Sequence, residues 1–228
     1  MKKEKLQFTH ILTSGFALTL SLLTAGFANA GTIVGTAHDM SASGFSGGEI
    51  CVVCHTPHNA DTTVTEAPLW NHTLTGVTFT MYSTGTLDAT QDAQPTGSSK
   101  LCLSCHDGVT AIDSFGGNTG VNVMSGSSAV GSGGNLTDDH PISILYDTAL
   151  STLDPGLHDP ATASVTVGEG GDKTRTGTVA ELMLPDSKVQ CGSCHDVHNN
   201  FVGPGTNDKP LLRVSKAGSL ICLTCHNK

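Results

Sequence analysis

The sequence predicts an irregular fold with a few short helices, mostly loops, and a core that apolar side chains alone do not supply. The 198 residues after position 30 contain only seven aromatic residues, and long stretches such as 116–139 are rich in Gly, Ser, Thr and Asp. Chains of this composition bury little apolar surface to offset the conformational entropy lost on folding. All eight cysteines, moreover, fall in four copies of one five-residue pattern.

The N-terminal segment, residues 1–30, has the features of a secretory signal peptide. Three lysines precede an apolar run over about residues 11–23, and Ala28-Asn29-Ala30 is a small-residue cleavage site. The run is too short for a membrane span, so we expect an exported chain that begins near Gly31; a retained anchor is the alternative.

The charge of the exported chain excludes two classes of partner. Removing residues 1–30, which carry three Lys and one Glu, changes the net charge from −9 to −11. Such acidity disfavours binding to nucleic acid or to an anionic membrane surface. We therefore expect no nucleic-acid partner, and the short apolar run at the N-terminus predicts no membrane span.

The repeated pattern is Cys-x-x-Cys-His, the attachment motif of c-type haem. Residues i, i+3 and i+4 share one face of a helical turn, so two thiols can bond to one porphyrin while the imidazole binds its iron. The motifs predict four covalent haems, with all eight cysteines as attachment sites and the four motif histidines as proximal ligands. The cysteines are Cys51, Cys54, Cys102, Cys105, Cys191, Cys194, Cys222 and Cys225, and the histidines are His55, His106, His195 and His226.

Zinc sites, disulfides and redox dithiols are the competing interpretations of paired cysteines. None of them requires a histidine directly after every pair, whereas haem attachment does. The predicted fold class is therefore a multihaem c-type cytochrome with a haem-packed core. Short helices are expected at the motifs, over 178–184 before Pro185, and in the stretch leading into Cys222.

The motifs alternate in kind, which indicates a duplicated two-haem unit. The first and third read CVVCHTPHN and CGSCHDVHN, whereas the second and fourth read LCLSCH and ICLTCH. We interpret residues 31–228 as one tetrahaem domain, with doublets at 51–106 and 191–226 and a polar insert at 107–190. The last motif ends two residues before the final Lys228, so the fourth haem is expected at one end of the molecule.

The remaining histidines are candidates for the second axial ligand of each iron. His58 follows His55 by three residues and so cannot reach the opposite face of the same haem, but it can bind the iron of a neighbouring haem. His198 should do the same in the second doublet. His140, followed by Pro141, is the third candidate. His38, His72 and His158 compete for the fourth position.

Several segments together resemble the OmcE-type tetrahaem c cytochromes, which polymerise into extracellular filaments. They are "HDMS", "CVVCHTPHNA", "APLWN", "LCLSCHDG", "DHPI", "CGSCHDVH" and "ICLTCH". The likeness covers most of the chain after the signal segment, with 107–190 matching mainly at "DHPI". It implies bis-histidine haems whose distal ligands are His38, His58, His140 and His198, with His72 and His158 in reserve. It also implies that an axial histidine of one subunit can complete a haem of the next, and His38 is our candidate.

The sequence thus predicts electron transfer without catalysis, either in an extracellular filament or as a periplasmic shuttle. Its partners would be further copies of the chain and redox partner cytochromes. Bis-imidazole ligation favours lower potentials than His/Met ligation. A multihaem reductase is the second hypothesis, but it needs an open iron position, and the chain has more spare histidines than irons. An exported zinc protein is the third.

Overall fold

Regular secondary structure is sparse in the part of the chain that the structure describes. The computed structural model describes residues 33–64, 67, 69–170, 173–199 and 211–227, so the predicted signal peptide and its cleavage site lie outside the described residues. The helices are α1 (Gly97–His106), α2 (Thr148–Leu153), α3 (Val179–Met183), α4 (Cys191–Cys194) and α5 (Leu220–Leu223). The strands are β1 (Ile144–Leu145), β2 (Ser164–Gly170), β3 (Lys173–Thr178) and β4 (Lys188–Val189).

The short helices lie largely where the sequence predicts them. The second, third and fourth motifs overlap α1, α4 and α5, whereas the first motif forms turns. The predicted helix at 178–184 is observed as α3, which ends before Pro185. Thr178 begins it with a capping box, in which its hydroxyl accepts from the Glu181 N–H and the Glu181 carboxylate accepts from the Thr178 N–H.

Two antiparallel strand pairs organise residues 144–189. β2 and β3 form a hairpin, with Val165 opposite Gly177 and an irregularity between Gly168 and Gly170. β1 pairs with β4, with Ile144 opposite Val189. Because β4 leads directly into the third motif, this second pair fixes where that motif begins.

The segment interpreted as a polar insert contributes most of the largest apolar cluster among the described residues. Val165 and Val167 of β2 pack with Val179 and Met183 of α3, and the cluster is completed by Tyr146, Leu184 and Val214. The term polar insert is therefore a poor description of 107–190. Composition averaged over the segment hides the alternating valines of one strand, which bury a single face.

Smaller apolar clusters lie beside the first two motifs. Trp70, Val64 and Ala67 pack against Cys54. Phe79 and Leu136 pack against Leu103, which lies inside the second motif. The described apolar packing is thus divided into separate small groups rather than gathered into one continuous core.

The capping box of α3 gives a stability prediction. Thr178→Ala should lower the free energy of unfolding by about 1 kcal/mol, because the Glu181 N–H loses its acceptor. Chemical denaturation would measure it. Thr174→Ala, at an exposed position on the same hairpin, is the control and should change stability by less than about 0.5 kcal/mol. Equal effects of the two substitutions would show that the cap contributes nothing.

No helix within the described residues is both long enough and apolar enough to cross a membrane.

Candidate cofactor-binding site

Each Cys-x-x-Cys-His motif forms a tight turn. In three motifs the histidine N–H donates to the carbonyl oxygen of the first cysteine at 2.9–3.0 Å; the pairs are His55–Cys51, His195–Cys191 and His226–Cys222. The second motif lies within α1. This geometry brings the two cysteines and the histidine to one face of the turn, as haem attachment requires.

Each motif lies near the motif that follows it in the sequence. Thiols of successive motifs lie close enough to affect one another's pKa: Cys105 is affected by Cys54, Cys102 by Cys191, and Cys194 by Cys222. The Cys102 and Cys191 thiols are hydrogen bonded to each other, and burial together with the nearby Cys54 raises the pKa of Cys105 to about 12. All eight cysteines are free thiols. If haem were attached, each of these sulfurs would be a thioether sulfur.

Three motif histidines each face a second histidine. The ring centres are 5.9 Å apart for His38 and His106, 6.1 Å for His55 and His198, and 6.4 Å for His140 and His226. A metal–imidazole bond is about 2.0–2.1 Å and the ring centre lies about 1.1 Å beyond the nitrogen, so two imidazoles on opposite sides of one metal have centres about 6 Å apart. The observed separations fit that value.

In two of the facing histidines, His106 and His140, the second ring nitrogen has the surroundings expected of a metal ligand. The Nδ1 atoms of His106 and His140 lie 2.6 Å and 2.9 Å from the carbonyl oxygens of Ser128 and Pro141. A carbonyl partner at Nδ1 leaves Nε2 free for a metal.

His38 differs from the other facing histidines because its Nδ1 atom is buried without a hydrogen-bond partner. Burial, followed by the proximity of His106, lowers the pKa of His38 to about 4. The ring is therefore neutral at neutral pH, which is the form that binds a metal.

The first and third motifs are built on the same backbone scaffold. Residues 54–56 pair with 69–71, and residues 194–196 pair with 211–213. In the first motif the Thr56 N–H donates to the Leu69 carbonyl at 2.8 Å and the Asn71 N–H donates to the Cys54 carbonyl at 2.9 Å. In the third motif the Asp196 N–H donates to the Leu211 carbonyl at 2.8 Å and the Arg213 N–H donates to the Cys194 carbonyl at 2.9 Å. Leu69 and Leu211 both have positive φ, 56° and 78°.

The likeness of the two scaffolds extends to side chains. The Asn71 amide donates to the Val52 carbonyl, and the Arg213 guanidinium Nε donates to the Gly192 carbonyl at 2.7 Å; both acceptors follow the first cysteine of a motif. We call residues 51–59 with 69–71 the first module, and residues 191–199 with 211–213 the second module. A weak sequence signal could have indicated the two modules, because each contains a Pro-Leu pair: Pro-Leu-Trp-Asn at 68–71 and Pro-Leu-Leu-Arg at 210–213. The spacing of the Cys-x-x-Cys-His motifs alone does not reveal this likeness.

The sequence predicts that His198 binds a neighbouring haem within the second doublet, whereas its described ring contact is with His55 of the first module. The two ring planes are nearly parallel, with an angle of 20° between them. The two modules are therefore adjacent in space although about 140 residues separate them. His58, the equivalent of His198, is exposed, and no ring contact to His195 is described for it.

The reserve candidates His72 and His158 face none of the motif histidines in the described contacts. His72 is buried, with Nδ1 2.8 Å from the Thr73 carbonyl and Nε2 3.5 Å from the Cys105 sulfur. The N–H of His158 donates to the Cys225 carbonyl, and its own carbonyl accepts from the Tyr146 hydroxyl at 2.6 Å. Both residues border attachment motifs.

No group of three or more His, Cys, Asp or Glu side chains is arranged as a metal site within the described ranges. Axial ligation of haem would need only two imidazoles for each iron, and each facing pair contains two. Comparison of the chain with models of known protein families and with curated protein sequences found no match.

Proposed function

We propose that this chain is a tetrahaem c-type cytochrome that transfers electrons and has no catalytic activity of its own. The observation that carries the proposal is the facing of three motif histidines by second histidines, with ring centres 5.9–6.4 Å apart. Chance packing of surface histidines gives no reason for each pair to contain one motif histidine. The chemistry supplied by bound haem is one-electron exchange at iron.

The residues divide into attachment, proximal and distal groups. The eight cysteines attach the haems, and His55, His106, His195 and His226 are the proximal ligands. Three distal ligands follow from the facing pairs: His198 for His55, His38 for His106 and His140 for His226. Two imidazoles on each iron favour a low potential and leave no position open for a substrate.

His58 is the proposed distal partner of His195. The two modules share one backbone scaffold, and His198 of the second module reaches His55 of the first. A reciprocal exchange brings His58 to the iron held by His195. The first and third haems would then be bound by ligands from both modules, which fixes their relative position.

The proposed assembly is an extracellular filament in which His38 reaches the next subunit. The described hydrogen bonds of residues 33–49 join residues of that segment to one another, as in Thr36 N–H to the Ile33 carbonyl. Its described ring contacts with the rest of the chain are His38 with His106 and Phe45 with Phe115, and His38 also lies near His195 and His198. Such a segment can make the same contacts with an adjacent copy, as in domain swapping.

Motif order supports conduction along the molecule, because each motif lies beside the next. The fourth motif is an open end, where Cys222, Leu220 and Leu223 are exposed, and Cys51 of the first motif is exposed as well. A periplasmic shuttle is the second candidate, and the contact of His38 with His106 of its own chain favours it, since that pair is complete within one subunit.

The test is mass spectrometry of the purified chain, followed by electron microscopy of the secreted and cell-surface fractions. We expect the mass of four covalent haems, a low-spin absorption spectrum and thin, regular filaments built from this chain. Four haems with particles of one subunit only would support the shuttle. A chain without covalent haem, or with stoichiometric zinc, would refute the proposal, and a high-spin signal would favour a reductase.

A further inference from the structure

The two modules differ in the side chains that surround their distal histidines. In the second module the Asp196 carboxylate lies 3.6 Å from Nδ1 of His198, and it also accepts from the His198 backbone N–H at 2.9 Å. Arg213 lies on the far side of this carboxylate, with Nη1 3.8 Å away. The distal histidine of the second module is thus backed by a carboxylate that an arginine holds.

The first module has neutral residues at the same two positions. Thr56 corresponds to Asp196, and its hydroxyl donates to the His58 carbonyl at 2.8 Å. Asn71 corresponds to Arg213 and makes the same bond to the motif backbone. One scaffold therefore carries an ionic pair in one copy and an uncharged pair in the other.

We propose that Asp196 is a positioning residue that lowers the reduction potential of the haem attached at Cys51 and Cys54, acting through His198. A carboxylate placed beside Nδ1–H orients the ring and makes the imidazole a stronger electron donor, which stabilises the oxidised metal. The Asp196 carboxylate is the charge nearest to the His198 ring, because the described contacts of Arg213 are with Asp196 and the Gly192 carbonyl. The duplicated modules thereby hold two haems of different potential.

The geometry around the carboxylate agrees with this arrangement. Oδ1 of Asp196 lies beside both Nδ1 and the backbone N–H of His198, whereas Oδ2 lies beside Nη1 of Arg213. The carboxylate is therefore placed between the distal imidazole and the arginine.

The inference rests on the proposed haem function, and its experiment separates the two. Asp196→Asn keeps an oxygen for the His198 backbone N–H but removes the charge. Mass spectrometry counts the haems, and a redox titration followed by electron paramagnetic resonance resolves the low-spin components. We expect four haems, of which one becomes about tenfold easier to reduce, a shift of about 59 mV for one electron. Asp196→Glu should restore most of the original potential.

Thr56→Asp is the converse variant. It places a carboxylate beside His58 and should lower the potential of a different component, the haem attached at Cys191 and Cys194. His198→Met assigns the first component, since methionine ligation raises its potential.

Four haems with unchanged potentials in Asp196→Asn, or an equal shift of all four, would overturn the inference while leaving the haem function intact. If Asp196→Asn fails to load haem, Thr56→Asp decides alone, and an unshifted potential there overturns the inference. Wild-type chain without haem would instead refute the proposed function.

Discussion

A chain carrying His38→Ala should be exported and loaded with four haems yet form no filaments. His38 is the proposed ligand that crosses to the next subunit, and it faces His106 with a ring-centre separation of 5.9 Å. Its loss leaves one iron with a single imidazole and removes one of the two ring contacts that join residues 33–49 to the rest of the molecule. Electron microscopy of the cell-surface fraction measures the result.

His158→Ala is the matched control, because this reserve histidine makes its described hydrogen bonds through the backbone. Filaments should persist in that variant. His38→Met should restore filaments in part, since methionine is also an axial ligand of haem iron. Normal filaments from His38→Ala would contradict the crossing role and leave the pair with His106 as a contact within one chain.

Removing both cysteines of the second motif should have the largest effect on stability. The Cys102→Ser/Cys105→Ser chain is expected to carry three haems and to lose more unfolding free energy than the roughly 2–5 kcal/mol of a large-to-small core substitution. The second motif lies between its neighbours, with Cys105 beside Cys54 and Cys102 beside Cys191. Loss of a large apolar plate there exposes the facing surfaces of both adjacent motifs. Mass spectrometry and thermal unfolding measure the two effects.

The fourth motif provides the comparison. Cys222→Ser/Cys225→Ser should also remove one haem but cost less stability, because Cys222, Leu220 and Leu223 are already exposed. Equal losses of unfolding free energy in the two variants would show that a more buried haem does not stabilise the fold more than an exposed one.

Local structure was predicted from the sequence where a local pattern controls it. The helix at α3 and its end before Pro185 depend on a capping box and a proline within eight residues of one another. The turns at the attachment motifs depend on a five-residue pattern. The apolar cluster of 107–190 was not predicted, since Tyr146, Val179 and Val214 come from distant segments.

Residue type and spacing were likewise enough to name the candidate ligands. They were not enough to predict which histidines pair with each other. The sequence offered His38, His72 and His158 as equal candidates until a family resemblance ranked them, and it placed His198 beside its own doublet. In the structure His198 faces His55, His38 faces His106, and His72 contacts the Cys105 sulfur.

The sequence by itself determined the four Cys-x-x-Cys-His motifs and the supply of histidines, because the proposed bonding of two thiols and an imidazole to one porphyrin would need a fixed local spacing. Only the tertiary structure decided which histidine faces which motif and that Arg213 lies beside Asp196. These relations join residues up to about 140 positions apart. They follow from the packing of two copies of one scaffold, and no local spacing records how separate segments pack.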